Sequence, residues 1–159
     1  QNVSNPIEAT LCPEGFECPT IGTVSPFPCS QGRFANSTGL PECILCPEGT
    51  YQDSIGSTAC KGCGVVLNGS TTATIASSSA SQCICPEGSF RSVGAEHCSP
   101  CPAGMQCPAG SDMSQPSTYP LVESGYMTLA ASPLTVYRCK EEEHCPGGGP
   151  GTCGAYRDS

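Results

Sequence analysis

"CPEGTYQDSIGSTACKGC", residues 46–63, decides how the rest of the chain is read. It holds four turn-forming or flexible residue types, three cysteines and one aromatic, and it lacks the apolar periodicity of a helix. Cys46-Pro47-Glu48-Gly49 is a turn signature, because Pro fixes φ and Gly supplies a backbone conformation that other residues reach only with strain. Thirteen residues separate Cys46 from Cys60, room for two short strands and a turn. If a disulfide closes such a loop, Tyr51 can lie over it as a miniature core. A crosslink closing about 15 residues contributes roughly 3 kcal/mol. One buried Tyr or Phe contributes roughly 1.5–3 kcal/mol, so several crosslinks per chain would dominate its stability.

The stretch is repeated. Cys29, Gly32, Phe34, Gly39, Cys43 and Cys46 follow the same rule as Cys46, Gly49, Tyr51, Gly56, Cys60 and Cys63, and as Cys85, Gly88, Phe90, Gly94, Cys98 and Cys101. A shorter form occurs as Cys12-Pro-Glu-Gly15-Phe16-Glu-Cys18 and Cys101-Pro-Ala-Gly104-Met105-Gln-Cys107. Fixed spacing recurring along one chain is the signature of a modular repeat.

Composition agrees. Only 24 of the 159 residues are Leu, Ile, Val or Phe, against 15 Cys, 19 Gly and 16 Pro. Such a chain cannot rely on an ordinary apolar core, and crosslinks that replace one persist only in an oxidising compartment. Asn2, Asn36 and Asn68 each open an N-glycosylation sequon, whereas Asn5 precedes Pro6 and does not. The sequence opens at Gln1 with no charged and apolar leader, so any signal peptide is expected to have been removed or to lie outside it. Val65-Val66-Leu67 is the longest aliphatic run, far short of the roughly 20 residues of a membrane helix. These features lead to an expected extracellular location, secreted or on the cell surface, with no membrane insertion in this segment. Fourteen Asp and Glu against six Lys and Arg give a net charge of −8, which disfavours nucleic acid as a partner.

Other segments are less regular. Residues 70–81 hold eight Ser or Thr in twelve and read as an exposed loop open to O-glycosylation. No cysteine falls between Pro108 and Arg138, and alternation in Leu134-Thr-Val136-Tyr137-Arg138 points to a strand, so 119–139 reads as a β-hairpin or small β-unit. Tyr119, Tyr126, Val136 and Tyr137 make this segment the candidate surface for self-association. The run Glu141–Glu143 beside His144 lacks the ordered ligand spacing of a calcium loop.

The run from Cys46 to Cys63, then Cys83-Ile84-Cys85 and on to Cys98 and Cys101, resembles the ephrin-receptor-like cysteine-rich repeat. That repeat occurs as tandem arrays in many extracellular proteins and is distantly similar to tumour necrosis factor receptor modules. Gly64 follows Cys63 where the family commonly has Pro. The resemblance implies disulfides 29–43, 46–60 and 85–98, with 63–83 closing the Ser/Thr-rich loop, and the short forms could close as 12–18 and 101–107. Cys139, Cys145 and Cys153 then remain, in a stretch that resembles the start of an EGF-like module. Three cannot pair among themselves, so either the chain is a piece of a longer one or one cysteine bonds to a neighbouring molecule.

The expected fold is therefore small and disulfide-rich, mainly irregular with short β-hairpins, an elongated tandem array of cysteine-rich modules. Its expected parts are an N-terminal segment 1–28 with a short module, repeats at 29–46, 46–84 and 85–107, the β-unit 108–138 and a partial EGF-like module 139–159. A zinc ribbon is disfavoured because each Cys-x-x-Cys pair, 43–46, 60–63 and 98–101, has a further cysteine 13 or 14 positions upstream. His97 and His144 each precede a cysteine and lack a recognisable catalytic partner, and no nucleophile or phosphate-loop motif is present. No enzyme, cofactor or metal site is expected. Two roles remain: a structural extracellular glycoprotein whose stacked modules self-assemble head-to-tail into a filament or matrix, or a ligand-binding or spacer segment of a receptor ectodomain.

Overall fold

Closely spaced cysteines with Gly and Pro between them leave strands no room to grow. The structure, a computed structural model describing residues 12–20 and 25–152, has strands of two to seven residues. Its helical segments among the described residues are single 3₁₀ turns of three residues.

The chain divides into two compact units. One comprises residues up to Cys63 together with Thr72–Cys83, and the other comprises Gly64–Thr71 and residues from Ile84 onward. In the first unit, β1 (Phe16–Glu17) pairs with β2 (Phe27–Pro28), β3 (Arg33–Phe34) with β4 (Ile44–Leu45), and β5 (Thr50–Tyr51) with β6 (Lys61–Gly62), all antiparallel. The chain passes between units after Cys63 and again within β7 (Thr71–Thr72) and β8 (Cys83–Ile84). In the second unit, β9 (Ser89–Arg91) pairs with β10 (Cys98–Pro100), β11 (Met105–Gln106) with β12 (Leu121–Val122), and β13 (Tyr126–Leu129) with β14 (Ser132–Arg138).

The Cys-x-x-Gly turn leads into β1, β3, β5, β9 and β11. The amide after the glycine donates to the carbonyl after the cysteine, as from Arg33 to Ser30 (3.1 Å), Thr50 to Pro47 (3.2 Å) and Ser89 to Pro86 (3.1 Å). Glycine at the third turn position takes the positive φ that this turn requires, +79° at Gly32. Seven disulfides hold the loops. Cys29–Cys43, Cys46–Cys60, Cys63–Cys83 and Cys85–Cys98 join as the family resemblance implies, and the short forms close as Cys12–Cys18 and Cys101–Cys107. The seventh, Cys139–Cys145, closes a six-residue step like those of the two short forms. The tail expected to begin an EGF-like module thus starts with its own small loop, and Cys153 lies outside the described residues.

Apolar cores are small and built partly of sulfur. Cys29, Ala35 and Cys43 form one with Leu40 against it. Phe90, Cys107 and Met113 form another, packed by Cys101, Tyr119 and Leu134. Tyr51 is buried in its loop, as its spacing suggests.

The Ser/Thr-rich loop departs from its sequence reading. Thr72 and Ser77 are buried, and most of the other hydroxyl residues of 70–81 are half-buried, leaving Thr74 and Ser81 exposed. Hydroxyls satisfy the backbone here: Thr72 Oγ1 accepts from the Gly49 amide (3.0 Å) and donates to the Thr74 carbonyl (3.0 Å), and Ser77 Oγ donates to the same carbonyl (3.0 Å). Ser79 and Gln82 form a reciprocal capping box on the short 3₁₀ turn Ala80–Gln82.

Candidate functional site

The regular feature of each unit is a set of backbone hydrogen bonds between successive loops. In the first unit the opening cysteine of one loop accepts from the next: Gly39 N donates to Cys12 O (2.8 Å), Gly56 N to Cys29 O (2.7 Å) and Ala76 N to Cys46 O (2.7 Å). A second line runs in the opposite sense, from Gly15 N to Ala35 O (2.9 Å) and Gly32 N to Gln52 O (2.8 Å). A third joins Ala35 N to Ser57 O and Gln52 N to Ser77 O, each 3.0 Å. The second unit repeats the pattern from Gly110 N to Cys85 O, Gly88 N to Cys107 O (both 2.8 Å) and Arg91 N to Ser111 O (2.9 Å).

Close approach of the loops explains their glycines. A Cβ on Gly15 would stand 2.3 Å from the Gly56 carbonyl oxygen, and one on Gly32 would stand 2.3 Å from that of Ala76. Ala76 occupies the place that Gly56 holds in the preceding loop, and it keeps a positive φ of +59°.

Side chains brace the loops themselves, and Glu17 joins two of them. Buried Gln52 donates to the Ala59 carbonyl (2.6 Å) and accepts from the Ser54 amide (3.0 Å), which fixes the 53–59 bend. Glu17 accepts from the Cys43 amide (2.8 Å), and Arg33 pairs with Glu42 (2.9 Å). Lys61 pairs with Asp53 and lies over the Tyr51 ring at 5.9 Å. The hydrogen bond from Lys61 holds the Asp53 carboxyl below its ordinary value, and the same bond raises Lys61. Both groups are on the surface, where solvent screens the pair.

The residues singled out from sequence are distributed as follows. Asn36 and Asn68 are exposed, and Asn2 lies outside the described residues. Tyr119 packs on the Phe90 core. Tyr126 and Val136 are half-buried over Gly104, where an added Cβ would meet the Tyr126 ring at 2.6 Å and Val136 Cγ1 at 2.9 Å. Three of the four candidate association residues are thus engaged inside their own unit. Tyr137 is 46% exposed, with Leu121 and Leu129 exposed to a similar degree. No sequence pattern distinguished those two leucines, because burial of alternate strand residues depends on which face the neighbouring loop covers. Among the described residues, no cluster of three or more His, Cys, Asp or Glu is placed to hold a metal ion, and no helix is long and apolar enough to cross a membrane.

Residues 32–83 match the family described as tyrosine-protein kinase ephrin type A/B receptor-like. The chain carries an ephrin-receptor-like cysteine-rich repeat. It is 31% identical over 103 residues to cysteine repeat modular protein A of Toxoplasma gondii, an alignment covering 64% of this chain and 3% of that protein. It is 35% identical over 80 residues to signal peptide, CUB and EGF-like domain-containing protein 2 of Danio rerio, covering 48% of this chain and 8% of that protein. The chain therefore spans less than a tenth of either relative's length. Ephrin-receptor-like and EGF-like repeats are extracellular-type modules, and this disulfide-rich chain is a module of that class.

Proposed function

We propose that the chain is a non-catalytic structural module of a secreted or cell-surface glycoprotein, in which linked cysteine loops act as a stiff spacer. The backbone bonds between successive loops carry this reading. Each loop is closed by a disulfide and tied to the next by two or three amide–carbonyl bonds, as Cys29, Gly32 and Ala35 are tied to Gly56, Gln52 and Ser57. Bending between loops breaks several bonds at once, which favours stiffness. Small-angle scattering of the oxidised monomer tests it. A compact chain of this length has a radius of gyration of about 15 Å; a spacer should exceed that clearly, and a value near 15 Å would overturn it.

Head-to-tail assembly into a filament or matrix is a second reading, favoured by the exposed Leu121, Leu129 and Tyr137 of the second unit. A spacer within a receptor ectodomain shares the structural role but needs no such surface. Sedimentation of the native protein separates the two.

A further inference from the structure

We propose that residues 122–139 are a further copy of the cysteine loop, with Val122 and Val136 in place of a disulfide pair, and that this uncrosslinked copy is the part of the module that extends under load. Val122 precedes Gly125 by three residues, as Cys46 precedes Gly49, and Val136 precedes Cys139 by three, as Cys60 precedes Cys63. Val122 and Val136 are 14 residues apart, the separation of Cys29–Cys43 and Cys46–Cys60.

Backbone geometry repeats as well. Tyr126 N donates to Glu123 O at 3.1 Å, the counterpart of Thr50 N to Pro47 O at 3.2 Å. Cys139 N donates to Gly125 O at 2.9 Å, as Cys63 N does to Gly49 O at 2.9 Å. Gly125 has φ +83° and Gly49 +80°. Gly148 N donates to Val122 O (2.9 Å), the bond that Ala76 makes to Cys46 (2.7 Å). Tyr126 stands opposite Arg138, the residue before Cys139, as Thr50 stands opposite Gly62, the residue before Cys63. Val122 is 5% exposed, in the buried setting that Cys46 and Cys85 have in their loops. Both valines border one short segment: Val122 pairs with Met105, and Val136 Cγ1 reaches the site above Gly104.

The mechanical consequence rests on the spacer reading. Disulfide-closed loops are short-circuited when the chain is pulled, and the links between them from Cys18 to Cys101 are short, ten residues at most between Cys18 and Cys29. From Cys107 to Cys139 no described disulfide intervenes, and the 31 residues 108–138 are held by hydrogen bonds and small apolar contacts. Released, they span about 100 Å.

The test is force spectroscopy on the full chain, pulled from its ends without reductant, comparing the unmodified protein with V122C/V136C. The unmodified chain should show a release of about 100 Å, and the oxidised variant should lose about 40 Å of it. Mass spectrometry of the folded variant should show the 122–136 disulfide, which checks the loop equivalence whatever the spacer role. Two free thiols there would overturn the equivalence, and an unchanged release length in the bonded variant would overturn the joint. If the variant does not fold, hydrogen exchange on the unmodified protein decides. Amides of 121–138 opening as one group before those of 46–63 support the joint, and their exchange only with the whole chain overturns it.

Discussion

Ala76 is a residue in a glycine's place. A non-glycine in the left-handed region is strained by about 1–2 kcal/mol, and Ala76 accepts that strain because its amide bonds to the Cys46 carbonyl and its own carbonyl packs against Gly32. Glycine would relieve it while losing roughly 0.5–1 kcal/mol to unfolded-state freedom. Ala76→Gly should therefore raise unfolding stability by about 0.5–1 kcal/mol in denaturant titration under non-reducing conditions. Gly32→Ala places a methyl against a backbone carbonyl at a positive φ, and it should cost at least about 2 kcal/mol by the same measurement. Equal, small effects from both changes would refute the loop-on-loop contact. Glycans belong to this scale too. Exposed Asn36 and Asn68 should both carry N-glycans in glycopeptide mass spectra of protein from its natural source, and O-glycans on 70–81 should be confined to Thr74 and Ser81, the exposed hydroxyls.

At the scale of the element, loop length ranks the crosslinks. Chain-entropy estimates give about 3 kcal/mol for the Cys63–Cys83 loop and about 2 kcal/mol for the six-residue step of Cys101–Cys107. Replacing both cysteines of the first pair with Ser should lower the denaturation midpoint more than replacing the second pair, and the reverse order would show that native packing decides. Much of this architecture could be read in advance. Cysteine spacing, with Gly three residues after the first cysteine, defines each turn and strand pair because a short crosslinked loop has few ways to close. The hydroxyl-rich loop is less exposed than its composition suggests, since composition cannot show that Thr72 satisfies an amide of the loop beside it and Ser77 a carbonyl of its own loop. Val122 carries no such mark, because cysteine spacing defines the other loops and a valine pair in place of a disulfide leaves no cysteine at those positions.

For the whole molecule, charge and apolar surface act against each other. A net charge of −8 repels a second copy at low ionic strength, where the screening length is about 30 Å at 0.01 M, and repels it much less at 0.15 M, where it is about 8 Å. Leu121, Leu129 and Tyr137 leave apolar area on the second unit, whereas Tyr126 and Val136, suggested by the sequence, already cover Gly104. Tyr126→Asp or Val136→Asp would put a charge into the packing over Gly104, damage the unit itself and could not report on association. Fourteen of the fifteen cysteines are joined within the chain, so covalent crosslinking cannot be the main force between copies. Assembly through this surface should therefore strengthen with salt and weaken on Tyr137→Asp or Leu129→Asp, with the disulfides intact in both variants. Sedimentation velocity should show larger species at 0.15 M than at 0.01 M salt, reverting to monomer in either variant. A chain that stays monomeric at both ionic strengths and high concentration removes the filament reading and leaves the spacer as the module's role.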